Sequence, residues 1–106
     1  MFYLEKLEYI KSFSAIFAVS DYYAIDMIHF LHEQGVKVPG DISVAGFDDT
    51  PMCTQIVPTL TSVRQDVALR ARIAIEKLQV LKDKTETETE VMLPVELIVR
   101  NSTTSV

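Results

Sequence analysis

The sequence predicts an α/β protein built on an open parallel sheet. Two short apolar runs, Ala15 to Val19 and Ile42 to Phe47, are bounded by polar residues, as strands buried on both faces are. Between them an amphipathic stretch places Ala24, Met27, Ile28 and Leu31 on one face at helical spacing. Strand, helix and strand with a crossover of that length form a βαβ unit, which should be right-handed. The 106 residues amount to one small domain.

Each element has its local cause. Residues 3–11 set Tyr3, Leu7 and Ile10 on one side of a helix that precedes the first strand. The sequence begins abruptly inside this helix, so the gene product is expected to extend upstream. Ser20 and Asp21 offer N-cap oxygens for the crossover helix, and Gly35 is its natural stop. Val38 to Asp41 is turn chemistry leading into the second strand. After an irregular stretch, Leu60 to Val63 reads as a short strand. Residues 66–82 then read as a helix with Val67, Ala71, Ala74, Ile75, Leu78 and Leu81 on its apolar face. Lys82 to Glu90 is a polar connection. Val91, Leu93, Val95, Leu97 and Val99 follow at the alternate positions of a strand, and the polar tail from Asn101 to Val106 is expected to fray.

Composition narrows the function. The net charge is -5, with ten Lys and Arg scattered among fifteen Asp and Glu, so this polypeptide lacks the basic patch with which proteins displace counterions from phosphate. The single cysteine, Cys53, allows no intrachain disulfide and fits a reducing compartment. No apolar stretch has membrane-spanning length, and the N-terminus has no signal-peptide pattern. His29 and His32 miss the spacing of a helical zinc pair, and the three glycines match no nucleotide-binding fingerprint. Cys53 reads as a buried thiol. The sequence therefore predicts no enzyme, no metal site and no cofactor.

In an open α/β sheet, ligands collect outside the carboxyl ends of the strands. Two such ends carry polar pairs here, Ser20 with Asp21 and Asp48 with Asp49. A carboxylate there can accept hydrogen bonds from neighbouring hydroxyls of a sugar. The same residues also suit a helix cap and a turn, and the residues alone leave both readings open.

The order of four segments resembles the LacI/GalR family of bacterial repressors. They are Ala15 to Asp21 (Ala-Ile-Phe-Ala-Val-Ser-Asp), Val38 to Asp49 (Val-Pro-Gly-Asp-Ile-Ser-Val-Ala-Gly-Phe-Asp-Asp), Pro58 to Gln65 (Pro-Thr-Leu-Thr-Ser-Val-Arg-Gln) and Leu93 to Thr103. Together they cover nearly the whole chain. The resemblance implies a three-layer, Rossmann-like sheet, the C-terminal subdomain of a periplasmic-binding-protein-like type I fold. Residues 1–106 would be a partial effector-binding domain, with the helix at 66–82 belonging to an N-terminal subdomain absent from this sequence. Periplasmic sugar-binding proteins of ABC transporters share the fold and are the alternative, but usually lack the Thr61 to Gln65 and Arg100 to Thr103 endings.

The resemblance also implies roles. Asp48 would grip the hydroxyls of a small sugar or sugar phosphate, with Ser20, Asp21 and Val67 completing this chain's share of the pocket. Ile25, His29 and His32 would meet Met52 and Ile56 of a second subunit in a homodimer, although Ile25 and Met52 could equally pack within the subunit. The protein would be a cytoplasmic, sugar-responsive repressor that touches operator DNA only through an N-terminal helix-turn-helix not contained in this sequence. Without its host subdomain, the helix at 66–82 is expected to shift or to enter a swapped oligomer.

Overall fold

A computed structural model describes residues 2–82 and 92–105. The chain divides into two compact units, Met1–Arg64 with Leu97–Val106, and Gln65–Glu96. The expected polar connection after Lys82 and the strand position at Val91 lie outside the described residues.

The first unit opens with two short helices, α1 (Phe2–Glu5) and α2 (Leu7–Lys11), where one continuous helix was expected. Lys6, at φ -105° and ψ 11°, interrupts the helical path. The predicted face nevertheless points inward: Ile10 is buried, and Tyr3 and Leu7 pack against the core. Strand β1 (Ala15–Phe17) follows, then α3 (Asp21–Glu33), β2 (Ser43–Phe47), a 3-10 turn at Pro51–Thr54, and β3 (Thr61–Gln65). The sheet order is β1-β2-β3-β4, with β4 at Val95–Ile98. The pairs β1–β2 and β2–β3 are parallel, as the sequence predicts for a βαβ chain.

Helix α3 follows its apolar pattern. Ala24, Ile28 and Leu31 are buried, Met27 packs beside them, and Phe30 joins the core against the tilted ring of Tyr3. Gly35 ends the run at φ 75°, a conformation glycine adopts without a Cβ clash. The core then closes on Val36, Val38, Ile42, Val44, Cys53 and Leu60. Each large side chain among these adds about 1.5–3 kcal/mol on burial.

Two strands and the tail depart from expectation. Strand β1 is not buried on both faces: it is the outermost strand, Phe17 is 62% exposed, and Val19 just beyond it is 78% exposed. An unbroken apolar run says that a strand is apolar on both sides, not that both sides are covered. In the last strand the apolar set is turned outward, with Val95 and Leu97 exposed and Ile98 half-buried. The tail is not frayed, because Ser102 is fully buried and bonded on both sides.

The second unit contains α4 (Val67–Lys82), one residue shorter at its start than expected. Asp66 lies just outside the helix as its cap, its carboxylate accepting the Leu69 N–H at 2.9 Å. No residue of α4 is buried, and Val67, Ile75, Leu78 and Leu81 are all more than half exposed. The apolar face read from the sequence exists, and among the described residues its side chains are exposed or half-buried.

Candidate functional site

The parallel register brings the two polar strand ends to one level. Ala15 pairs with Ser43 and Phe17 with Ala45, so β1 and β2 end on the same side of the sheet, where Ser20 follows the one and Asp48 the other. Ser20 is the N-cap of α3, in extended conformation, and its hydroxyl oxygen accepts the Tyr23 N–H at 3.4 Å. That leaves its proton for another acceptor. Asp48 leaves the C-terminal end of β2 and is exposed. Val67, the other expected pocket residue, opens α4 in the second unit and is 69% exposed.

Asp21 is placed differently from expectation. It is 1% exposed, and its carboxylate turns inward rather than toward a ligand. One oxygen accepts the Ser62 hydroxyl at 2.6 Å, and the other accepts the Thr50 N–H at 2.7 Å. The carboxylate also lies over Gly46, where a Cβ would strike its oxygen and come within 3.1 Å of both the Asp21 Cα and a Leu60 methyl. Gly46 is therefore the position at which strand β2 makes room for the start of α3.

This bracket holds a strained turn. Asp48 has φ 109° and Asp49 φ 54°, both in the region that favours glycine. Such conformations cost roughly 1–3 kcal/mol each and persist only where the surroundings impose them. Three successive backbone N–H groups supply the imposition. Asp48 donates to the Val63 carbonyl at 2.9 Å, Asp49 to the Ser62 hydroxyl at 2.9 Å, and Thr50 to Asp21. Both Ser62 and Asp21 are buried, so the turn is tied to β3 and α3 through groups that water does not reach.

Sequence reading placed Asp49 beside Asp48 at the strand end, and in the structure it is the carboxylate that holds two arginines. Its side chain is 6% exposed and receives Arg64 Nε at 2.7 Å and Arg100 Nη2 at 2.6 Å. Burial alone would push the Asp49 carboxyl up, but the hydrogen bonds and charges of Arg100 and Arg64 outweigh it and hold the group below its ordinary value. Arg100 also donates to the Leu60 carbonyl at 2.6 Å. The available signal was an arginine near the end of each of two strand segments, Arg64 and Arg100, each in need of a counter-charge.

The remaining expected residues are dispersed. His29 is largely exposed and pairs with Glu33 at 3.2 Å, and His32 is exposed. Met52 is 45% exposed, whereas Ile25 and Ile56 are half-buried against the core. Cys53 is fully buried, and burial, reinforced by Asp21, pushes its thiol up, away from the reactive thiolate. Among the described residues, no group of three or more His, Cys, Asp or Glu side chains could hold a metal ion.

The family model for the periplasmic binding protein-like domain matches residues 4–103. Over 90 residues the chain is 31% identical to the lactose operon repressor of Escherichia coli (strain K12), across 85% of this chain and 25% of that protein. Its structure is similar to that of the lac repressor dimer bound to operator and the anti-inducer ONPF, with a TM-score of 0.78 and 30% identity, covering 87% of this chain and 32% of that one. It is also similar to a LacI family transcriptional regulator from Lactobacillus casei with bound sucrose, with a TM-score of 0.65 and 37% identity, over 84% of this chain and 33% of that one. The chain spans about a quarter of the length of the curated relatives it matches. By the matched model and these likenesses, the chain belongs to the family of periplasmic binding protein-like domains, in its LacI/GalR branch.

Proposed function

We propose that this chain is the effector-binding and dimerisation part of a sugar-responsive LacI-type transcriptional repressor. The observation that carries the reading is the Asp48 turn, held in a costly conformation at the ligand-collecting end of a parallel sheet. Asp48 grips adjacent hydroxyls of a small sugar or sugar phosphate, and the Ser20 hydroxyl adds a donor. The sucrose-bound relative supports a saccharide ligand. Operator DNA is met through a separate N-terminal domain, in keeping with the net charge of -5 on this part. The effector acts by binding the operator-competent and operator-incompetent states with different affinity. The site of action is the cytoplasm; no helix among the described residues is long and apolar enough to cross a membrane.

Ligand-observed NMR against mono- and disaccharides and their phosphates tests this reading. One face of a pocket gives weak binding, with a Kd on the order of 1 mM. Asp48→Ala should abolish the signal; because alanine tolerates the φ 109° backbone less well than aspartate does, the fold of the variant is checked alongside by circular dichroism. A panel without a single binder, or a binder indifferent to Asp48→Ala, would overturn the reading.

The two units bear on assembly. In this reading α4 belongs with the opposite subdomain, and Ile25, His29, His32, Met52 and Ile56 form the homodimer surface. With Ile75, Leu78 and Leu81 more than half exposed, α4 gains about 1.5–3 kcal/mol for each large side chain it covers in a swapped oligomer. Light scattering should therefore show a dimer or larger species for the parent chain, and a lower mass for the Ile75→Glu, Leu78→Glu double variant. A parent that stays monomeric at 100 µM or so, a concentration at which a −8 kcal/mol contact is mostly formed, would rule this out.

A further inference from the structure

We infer that Asp49 is a positioning residue for Asp48, one carboxylate that ties the ligand turn to both points at which the chain passes out of the first unit. The inference rests on the reading of Asp48 as the sugar-gripping residue. The two partners of Asp49 have a particular place in the chain. Arg64 is the last residue of the first unit before the chain continues into the second at Gln65. The chain returns at Leu97, and Arg100 stands three residues later. Outgoing and returning segments are thus held by the two oxygens of one side chain, Oδ2 to Arg64 and Oδ1 to Arg100.

Nothing in an ordinary turn requires this arrangement. The backbone of the turn is already satisfied by Val63, Ser62 and Asp21. The Arg100 backbone is fixed independently, its N–H donating to the Thr61 hydroxyl at 2.8 Å. What the Asp49 carboxylate adds is a link between these separately anchored pieces. The link is asymmetric, since the Arg100 side chain is 15% exposed and the Arg64 side chain 53% exposed. Arg100 is the fixed anchor and Arg64 the partner that can let go. A shift of the outgoing strand end that frees Arg64 releases one side of Asp49, and with it one of the restraints on the φ 109° conformation next door at Asp48. Capture of a ligand by Asp48 and the position of the outgoing segment are then linked, each favouring the other.

Amide hydrogen exchange followed by NMR on the sugar-free chain tests the link directly. In Asp49→Asn, which keeps the side-chain shape, the Asp48 N–H should exchange at least about tenfold faster than in the parent, while those of Ile28 and Leu31 in α3 hold their rates. Arg64→Gln, which removes only the exposed partner, should give a smaller acceleration of about threefold at the same amide, and covers the case in which Asp49→Asn fails to fold. A uniform acceleration that includes Ile28 and Leu31, or no change at Asp48, would show Asp49 to be ordinary scaffolding and overturn the inference. A second arm uses D-glucose, D-galactose, lactose and sucrose as probes. Asp49→Asn should weaken whichever sugar binds the parent by fivefold or more. If none of the four binds the parent, the sugar reading of Asp48 loses its support while the exchange arm still decides the role of Asp49. If one binds parent and variant alike, the inference fails by itself.

Discussion

Asp21→Ala should lose about 3 kcal/mol or more of stability. The carboxylate accepts two hydrogen bonds in a fully buried position, and bonds to a charged acceptor contribute roughly 1.5–3 kcal/mol each. Alanine leaves the Thr50 N–H and the Ser62 hydroxyl facing an empty space. It also removes the wall against which Gly46 packs. Part of that loss is returned, because a buried carboxylate no longer has to be desolvated. Against a total stability of roughly 5–15 kcal/mol for a domain, a net loss of this size moves the chain close to its unfolding threshold. Asp21→Asn should lie between the two. Its one oxygen can take the Thr50 N–H, but its amide then meets Ser62, whose oxygen already accepts from Asp49. Urea unfolding followed by circular dichroism gives the midpoints. An Asp21→Ala midpoint within about 0.5 kcal/mol of the parent would mean that the bracket around the turn is not what holds it.

The Asp21 result also shows what the sequence could and could not convey. Periodicity located α3 and its inward face correctly, because a helix that buries Ala24, Ile28 and Leu31 must repeat its apolar residues at that spacing. The parallel strands β2 and β3 were legible as well, β2 to within one residue and β3 to within two. Direction of burial was less legible. Ser20 and Asp21 are adjacent, both polar and both at a strand end, yet the first caps a helix at the surface and the second is sealed inside. Only the Thr50 N–H and the Ser62 hydroxyl, 29 and 41 residues away, decide between those fates. The role of Asp49 was hidden likewise, since it depends on Arg64 and Arg100 arriving from two distant segments. For β1 and α4 the composition named the apolar surfaces, and composition carries no record of what covers them.

The C-terminal tail gives the second large expected effect, and there the polar composition pointed the wrong way. Ser102 should not tolerate alanine: Ser102→Ala is expected to cost about 2–4 kcal/mol. Its hydroxyl donates to the Val44 carbonyl at 2.6 Å and accepts the Thr61 N–H at 2.9 Å, joining the central strand β2 to β3 at a point where both partners are buried. Each orphaned buried group costs roughly 1–3 kcal/mol, and the small void left by one oxygen admits no replacement partner. Shortening the chain after Asn101 should do more damage than the point substitution. It also removes the carbonyl that accepts the Val44 N–H at 3.0 Å and the Thr104 N–H that donates to Ser43 at 3.1 Å. A frayed tail would predict the reverse, with truncation neutral and Ser102→Ala silent. Unfolding midpoints for the two variants separate these outcomes, and carboxypeptidase digestion of the parent adds an independent check. Serine and threonine are read as loop residues because they bond readily to backbone. Here that same property lets Ser102 fill the place of a strand residue between two others, which makes the last ordered turn of the chain part of its core.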